Sequence, residues 1–501
     1  MSSTAASTIL DSQPLRSGKR PLAAAGWAIA APEPAQLMIL ACALLSFAAA
    51  AFAPQLLWDG DTLWHIATGD WMIAHHQIVR ADPFSYSVPG HPWTNLEYLS
   101  ELVMAPIYGA GGWSGIHIGF GLALGAATWI LGSELSRKLP PLSCAAALFL
   151  ALACTTQSWL ARPHLLALPI LALWTVQLIR AREAGKAPPL WLLPVMTLWS
   201  NLHGSFLFGL ALLAPFALEA VLETGADRIK AIRGWGLFGI AAGVAALLTP
   251  HGVEAVIAPI KLMSMRILPQ IVEWKSSDFS RPTPLELSLL TALFVLLYRR
   301  VNIPLIRLLT LLGLLHLTLH QTRHQMVLAV VGVLLLAGPV GKALAEAGPS
   351  SRLPRMSPTV RSGVLAAILV VFAATAAIRM AIPAQLTDGP GAPIGALAHV
   401  PEALRRQPVF NEYGMGGYLI FNHVRPFIDG RADMYGDDFV DSYMKASKPD
   451  PARLKALLGR YGVRWTILTS DNPTVSAMDA MPGWKRLYAD KTAVVHVNAG
   501  A

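Results

Sequence analysis

Charge is scarce in this sequence. Asp, Glu, Lys and Arg make up 14% of its 501 residues, against about 25% in a soluble globular protein. With 54% hydrophobic residues and a mean hydropathy of +0.48, that deficit excludes an ordinary soluble enzyme and leaves a polytopic membrane protein. Cysteine is scarce too. Cys42, Cys144 and Cys154 all lie inside apolar runs, which excludes a disulfide framework and a CxxC metal site. Internal repeats and low-complexity tracts are missing. The acidic side of the balance is short, giving a net charge of +9. In a membrane protein that excess marks cytoplasmic loops and anionic headgroups, with no nucleic-acid partner implied.

What the sequence does have is long apolar runs. Residues 1–34 carry Arg16, Lys19 and Arg20, and Pro32, Glu33 and Pro34 interrupt the Ala-rich stretch that follows. They read as an uncleaved cytoplasmic tail. Residues 35–57 form a first span. A polar, aromatic, Pro-rich loop follows at 58–96. Residues 97–110 are apolar but short, and read as a half-helix or interfacial helix. Further runs lie at 114–135, 142–158, 163–181, 190–200, 203–222, 234–249, 284–299, 303–319, 324–345 and 361–383, which makes about eleven crossings within residues 35–387. Arg137 and Lys138, then Arg180, Arg182 and Lys186, then Arg228, Lys230 and Arg233, and the later Arg and Lys groups alternate as cytoplasmic loops. Residues 253–283 break that rule with Lys261, Arg266, Lys275 and Arg281, and their apolar spacing suits an amphipathic interfacial helix.

The chain is organised around Trp58-Asp59-Gly60-Asp61-Thr62-Leu63-Trp64-His65, which follows the first span. Asp59 and Asp61 fall where hydrocarbon gives way to water. His65 is four residues after Asp61 and shares its helix face. Trp58 and Trp64 suit that depth. The alternative is an acidic helix cap at Asp61 or Thr62, which leaves Asp59, His65, Glu97 and Glu101 without a reason. The remaining outer loops each carry a histidine: Arg162 and His164, His203, His251, Arg323 and His324. Ionisable groups at membrane depth are costly and point to function. Together they predict a polar cavity opening outward, with Asp59 and Asp61 at its rim.

Residues 388–501 change character and read as a small soluble α/β domain. Strand-like runs lie at 408–411, 425–428, 464–468, 484–488 and 493–497, with helical patterns near 436–446, 452–461 and 473–481. Gly414, Gly416 and Gly417 spell neither GxGxxG nor GxxxxGK[ST], and so make a tight bend without phosphate-loop character. Asp429-Gly430-Arg431-Ala432-Asp433 reads either as a strand end with an internal ion pair or as a loop over the cavity.

An acidic pair after the first span, a long first outer loop, many spans and a C-terminal extracytoplasmic domain resemble the GT-C glycosyltransferases. These include protein mannosyltransferases, aminoarabinose transferases and oligosaccharyltransferases. Residues 59–65, Asp82-Pro83-Phe84-Ser85, Trp93, Asn201-Leu202-His203-Gly204 and 429–433 carry the resemblance to a bacterial branch. Asp-Gly-Asp stands where the mannosyltransferases have adjacent Asp and Glu. The resemblance implies a multi-pass protein of the bacterial inner membrane, N-terminus cytoplasmic and C-terminal domain periplasmic. It implies transfer of a sugar from a polyprenyl-phosphate donor to a lipid, glycan or protein acceptor. Asp61 would be general base, with Asp59 and His65 assisting. Arg162, His164, His203, His251, Arg323, His324, Glu97, Asp429 and Arg431 would bind substrate. Asp59 and Asp61, with Glu97, are the residues that would hold a divalent cation such as Mg or Mn, a weak metal signal by themselves. The rival reading keeps this architecture for a non-catalytic lipid- or glycan-binding assembly protein. A transporter is disfavoured because no repeated half with matching broken spans is found.

Overall fold

A computed structural model describes residues 32–223, 225–348, 353–448 and 450–500. The expected cytoplasmic tail falls almost wholly outside them. Thirteen helices build the first part: α1 (Pro34–Ala51), α2 (Asp61–His75), α3 (Tyr98–Leu135), α4 (Pro141–Thr155), α5 (Pro163–Glu183), α6 (Leu192–Leu202), α7 (Phe206–Glu223), α8 (Arg228–Ala246), α9 (Glu254–Met263), α10 (Pro284–Tyr298), α11 (Leu305–His320), α12 (Gln325–Glu346) and α13 (Pro358–Ala381). Eight segments are long and apolar enough to cross a membrane, and α6, α10 and α11 are shorter apolar helices. The protein is therefore a multi-pass membrane protein, with eleven apolar helices among the described residues.

Burial follows position in the bundle. α5 lies at its centre and buries Trp174, Leu178 and Ile179. α13 buries only Thr375 and Arg379 and leaves Leu369, Val370 and Val371 exposed, the pattern of a helix wetted by lipid. α3 contains the half-helix and the span expected from residues 97–135, joined at Gly112, whose φ of 54° and ψ of −146° only glycine adopts at no steric cost. α9 is the amphipathic helix expected within residues 253–283. α2 removes the cap reading: Asp61 is its first residue, and no side-chain cap bond closes that end.

The C-terminal part adds α14 (Ile394–Ala398), α15 (Glu402–Arg405), α16 (Gly416–Phe421), α17 (Ala432–Tyr435), α18 (Asp437–Ala446), α19 (Pro451–Arg460) and α20 (Thr474–Asp479). Its four strands are β1 (Val409–Asn411), β2 (Trp465–Thr469), β3 (Trp484–Ala489) and β4 (Ala493–Asn498), in the order β1-β2-β4-β3. β1 and β2 are parallel, and the other pairs are antiparallel. The fifth expected strand, 425–428, does not form. The buried Asn411 side chain takes its place as partner, accepting from the Phe427 N–H at 2.8 Å and donating to the Ile428 carbonyl at 2.8 Å. An amide side chain thus satisfies backbone groups that a ladder would otherwise pair.

This part does not stand off from the bundle. Trp64, Met72, Val79 and Trp93 of the 58–96 region share one core with Phe410, Phe427 and Tyr443. Leu63 enters a second core with Leu397, Val409 and Trp465. The acidic turn is seated by glycine. A Cβ on Gly60 would collide with the Gly414 carbonyl, and one on Gly417 would collide with the Gly60 carbonyl. The glycine-rich bend thus lets two backbones touch.

Candidate active site

Arg162 is the node. It directly precedes α5 in extended backbone. Its Nε and Nη2 donate to Asp59, the Nη2–Oδ1 distance being 2.8 Å. Nη2 also lies 2.9 Å from Asp61 Oδ2, and Nη1 donates to Glu273 Oε2 at 2.8 Å. All three guanidinium nitrogens are spent on carboxylates. Arg162, expected as a substrate-binding residue, gathers Asp59 and Asp61 from one turn and Glu273 from a second segment.

Asp61 keeps about a fifth of its side chain exposed. Burial pushes its carboxyl up to about 7, with Arg162 opposing and Asp59 and Glu273 adding to the rise. A carboxylate at that value gives and takes protons at neutral pH. Gly430 packs directly on it, and a Cβ there would land on the Asp61 carboxylate.

A second chain of contacts runs inward. Glu97 Oε1 lies 3.2 Å from His203 Nε2, and Glu97 Oε2 lies 3.5 Å from His65 Nε2. His65 Nδ1 meets Glu101 Oε1 at 3.0 Å, and Asn95 Nδ2 donates to Glu101 Oε2 at 2.5 Å. The Ser205 N–H donates to His203 Nδ1 at 3.1 Å, so the ring proton sits on Nε2 and points at Glu97. Burial pushes Glu97 up to about 8, with Asp433 adding and Arg162 opposing. Burial also holds the His65 and His203 rings well below the usual imidazole range. Both are neutral at pH 7. His65, expected to assist Asp61, joins Glu97 to Glu101.

The remaining expected residues divide. His164 Nε2 meets the Ser158 carbonyl at 2.9 Å, and its ring lies 6.1 Å from that of His203. Arg323 lies flat over Trp274, 3.9 Å from the ring centroid, with a long 3.7 Å ion pair to Glu273. It forms no hydrogen bond among the described residues, and 30% of its side chain is exposed. It is the arginine here with donors to offer. His324 turns away, to Gln321 Oε1 at 2.9 Å and against Phe208. His251 lies beside Arg80, whose positive charge adds to the effect of burial in lowering its imidazole. Asp429 and Arg431 have no exposed side-chain surface. Arg431 Nη1 donates to Asp82 at 2.8 Å, its Nη2 donates to Asp429 at 2.6 Å, and Tyr435 Oη donates to Asp429 at 2.7 Å. This clamp, at residues expected to bind substrate, locks the 58–96 region to the C-terminal part. Both readings of 429–433 hold in part, since Gly430 still overhangs Asp61.

Sequence reasoning missed Glu273 and Tyr413, and named Asp433 only within the 429–433 motif. Glu273 lies beside Trp274 in a stretch where Lys and Arg outnumber acidic residues, and that acid–aromatic pair was its only signal. Among the described residues, no group of three or more His, Cys, Asp or Glu side chains has metal-binding geometry. The cation shared by Asp59 and Asp61 here is the Arg162 guanidinium. Beside Trp274 a groove of about 390 Å³ opens, lined by Met263, Met265, Leu268, Pro269, Lys275 and His320.

No protein-family model and no curated protein matches the sequence. Solved structures do match in fold. The Archaeoglobus fulgidus oligosaccharyltransferase AglB, in complex with an inhibitory peptide and a dolichol-phosphate, superposes with a TM-score of 0.51 at 10% identity, over 92% of this chain and 74% of that one. ArnT from Cupriavidus metallidurans, bound to undecaprenyl phosphate, gives 0.50 at 14% identity, over 92% and 97%. Over nine tenths of its length the chain therefore shares the fold of these two solved structures.

Proposed function

We propose that the chain is a glycosyltransferase that moves a sugar from a polyprenyl-phosphate donor to a lipid, glycan or protein acceptor. In this reading the site faces the periplasm of a bacterial inner membrane. The observation that carries it is Asp61, a partly exposed carboxylate held near neutral pKa at the meeting point of the bundle and the C-terminal part. Asp61 takes the acceptor proton as general base. Asp59 and Arg162 hold it in place. The leaving lipid phosphate carries negative charge and needs a cation with unspent donors, which describes Arg323. The neighbouring groove offers apolar walls to a polyprenyl chain and Lys275 to its phosphate end. Two structures of this fold are complexes with a polyprenyl-type phosphate, dolichol-phosphate and undecaprenyl phosphate, which supports the donor class.

The test is consumption of a lipid-linked sugar by the purified protein in liposomes, comparing wild type with Asp61→Asn. Turnover should fall by about a hundred- to ten-thousand-fold, with donor binding retained. Equal turnover in a folded variant removes the base assignment. Donor binding without turnover in the wild type favours the non-catalytic binding protein. A periplasm-only reporter fused after Ala501 should be active, and silence from a well-expressed fusion reverses the orientation.

A further inference from the structure

Tyr413 is a polar group near Asp61 that the proposal above leaves unused. It follows β1 in the turn Glu412-Tyr413-Gly414, and its Oη donates to the Gly430 carbonyl at 3.3 Å, the long end of hydrogen-bond range. Gly430 is the residue that packs on the Asp61 carboxylate. The phenol is therefore brought beside the base by the C-terminal part, packed against the core that holds Phe410 and Phe427 and making one long hydrogen bond. Burial, with Asp61, Asp429 and Glu273 nearby, keeps it protonated. An O–H donor thus stands next to the proton acceptor on a wall whose other groups are Glu273, Glu97 and Asp433.

That wall holds few cations to match. Arg162 has spent its donors, and the proposal above assigns Arg323 to the leaving phosphate. An anionic nucleophile would meet an acidic cluster whose arginines are already engaged. An uncharged hydroxyl would not be repelled by it, and its oxygen could accept from Tyr413 while its proton faces Asp61.

We infer that Tyr413 orients the acceptor, and that the acceptor's nucleophile is a neutral hydroxyl. This rests on the glycosyltransferase reading. In the step, the acceptor O–H bond breaks and its proton passes to Asp61. The oxygen bonds to the sugar's anomeric carbon. The carbon–oxygen bond to the lipid phosphate breaks, and its electron pair leaves on that phosphate. The product is an O-glycoside, with no glycosyl phosphate formed.

The experiment uses full-length protein in its native membranes, which supply the acceptor. The probes are undecaprenyl-phosphate pentoses and hexoses with a labelled sugar. Transfer by Tyr413→Phe should fall at least tenfold with the KM for the donor unchanged, and Tyr413→Ala should fall no further. The transferred label should survive mild acid, which cleaves glycosyl phosphates and spares glycosides. A Tyr413→Phe protein as active as wild type, beside a weak Tyr413→Ala, makes Tyr413 a packing residue and overturns its role. Acid-labile product overturns the hydroxyl acceptor. Failure of the underlying reading looks different: wild type and Asp61→Asn then transfer no label from any donor, which removes both conclusions together.

Discussion

The two ends of the helical bundle hold ionisable clusters of opposite design, and α5 connects them. Arg162 precedes its first turn and Arg182 lies in its last, about 30 Å away at 1.5 Å per residue. At the far end Glu134, Glu183, Glu219 and Glu223 are each matched. Glu219 receives a bidentate Arg307 at 3.0 and 3.1 Å and also faces Arg182 at 3.4 Å. Glu223 pairs with Arg182. The buried Glu134 faces Arg180 at 2.7 Å and Lys138 at 3.2 Å, and Lys138 also reaches Glu183 at 2.6 Å. At the near end Asp59, Asp61, Glu97 and Glu273 share Arg162 and Arg323. Saturated charge pins α3, α5, α7 and α11 together and has no proton to move. A shortage of cations leaves carboxylates neutral or poised, at a cost in stability that burial of the surrounding core offsets.

The sharpest way to break this contrast is to remove one carboxylate from each end. Glu219→Gln leaves Arg307 and Arg182 buried against one fewer negative charge, and should cost about 3–5 kcal/mol, read as a large fall in thermal stability in detergent. Asp61→Asn relieves a crowded acidic cluster and should leave stability nearly unchanged. Equal losses would mean that the near end is also held together by its charges.

The next effect is on pH dependence. A base acts only when ionised, so turnover should rise as pH increases through about 7, where Asp61 loses its proton. Arg162 opposes the rise in that value. Arg162→Gln should therefore move the rising limb to higher pH by about one unit or more. A pH–rate profile that stays in place, or moves to lower pH, would show that Arg162 does not hold Asp61 ionised. A smaller, donor-specific effect belongs to Arg323. Arg323→Ala should weaken donor binding by about tenfold or more and leave acceptor binding alone, and the reverse pattern reassigns it.

How much of this was legible in advance follows from the length scale of each signal. Apolar runs are local, so the spans, the half-helix before Gly112 and four of five strands could be read directly. The residue types of the site were legible as well, because an Asp, His or Arg at membrane depth stands out against 54% hydrophobic sequence. Which partner each would take was not. Arg162 and Arg323 look alike in sequence, yet one is saturated and the other stacks on Trp274 with donors free. His65 shares a face with Asp61 but is drawn to Glu97 and Glu101, which arrive on α3 and the turn before it. The strand expected at 425–428 failed because Asn411 substitutes a side chain for a backbone partner. Pairings between segments separated by a hundred residues or more, such as Arg162 with Asp59 and Glu273, carry no periodic trace.

The smallest effects lie where the 253–283 stretch meets the C-terminal part, and they separate two kinds of contact that look alike. Arg266 reaches Asp438 at 3.1 Å and Asp437 at 3.7 Å, but 78% of its side chain is exposed. Asp437 does something else as well. Its two carboxylate oxygens accept the backbone N–H groups of Arg266 at 3.1 Å and Ile267 at 3.2 Å, and Ile267 is buried in the core shared with the 58–96 region. An exposed ion pair is worth at most about 1 kcal/mol, while stripping an acceptor from two backbone donors costs about 1–3 kcal/mol. Asp437→Ala should therefore lower thermal stability measurably and Arg266→Ala hardly at all. Since Glu273 and Trp274 follow a few residues on, Asp437→Ala should also loosen the carboxylate that Arg162 and Arg323 share, lowering turnover modestly. If Arg266→Ala matched Asp437→Ala in both readouts, the side-chain ion pair would be the contact that seats this stretch.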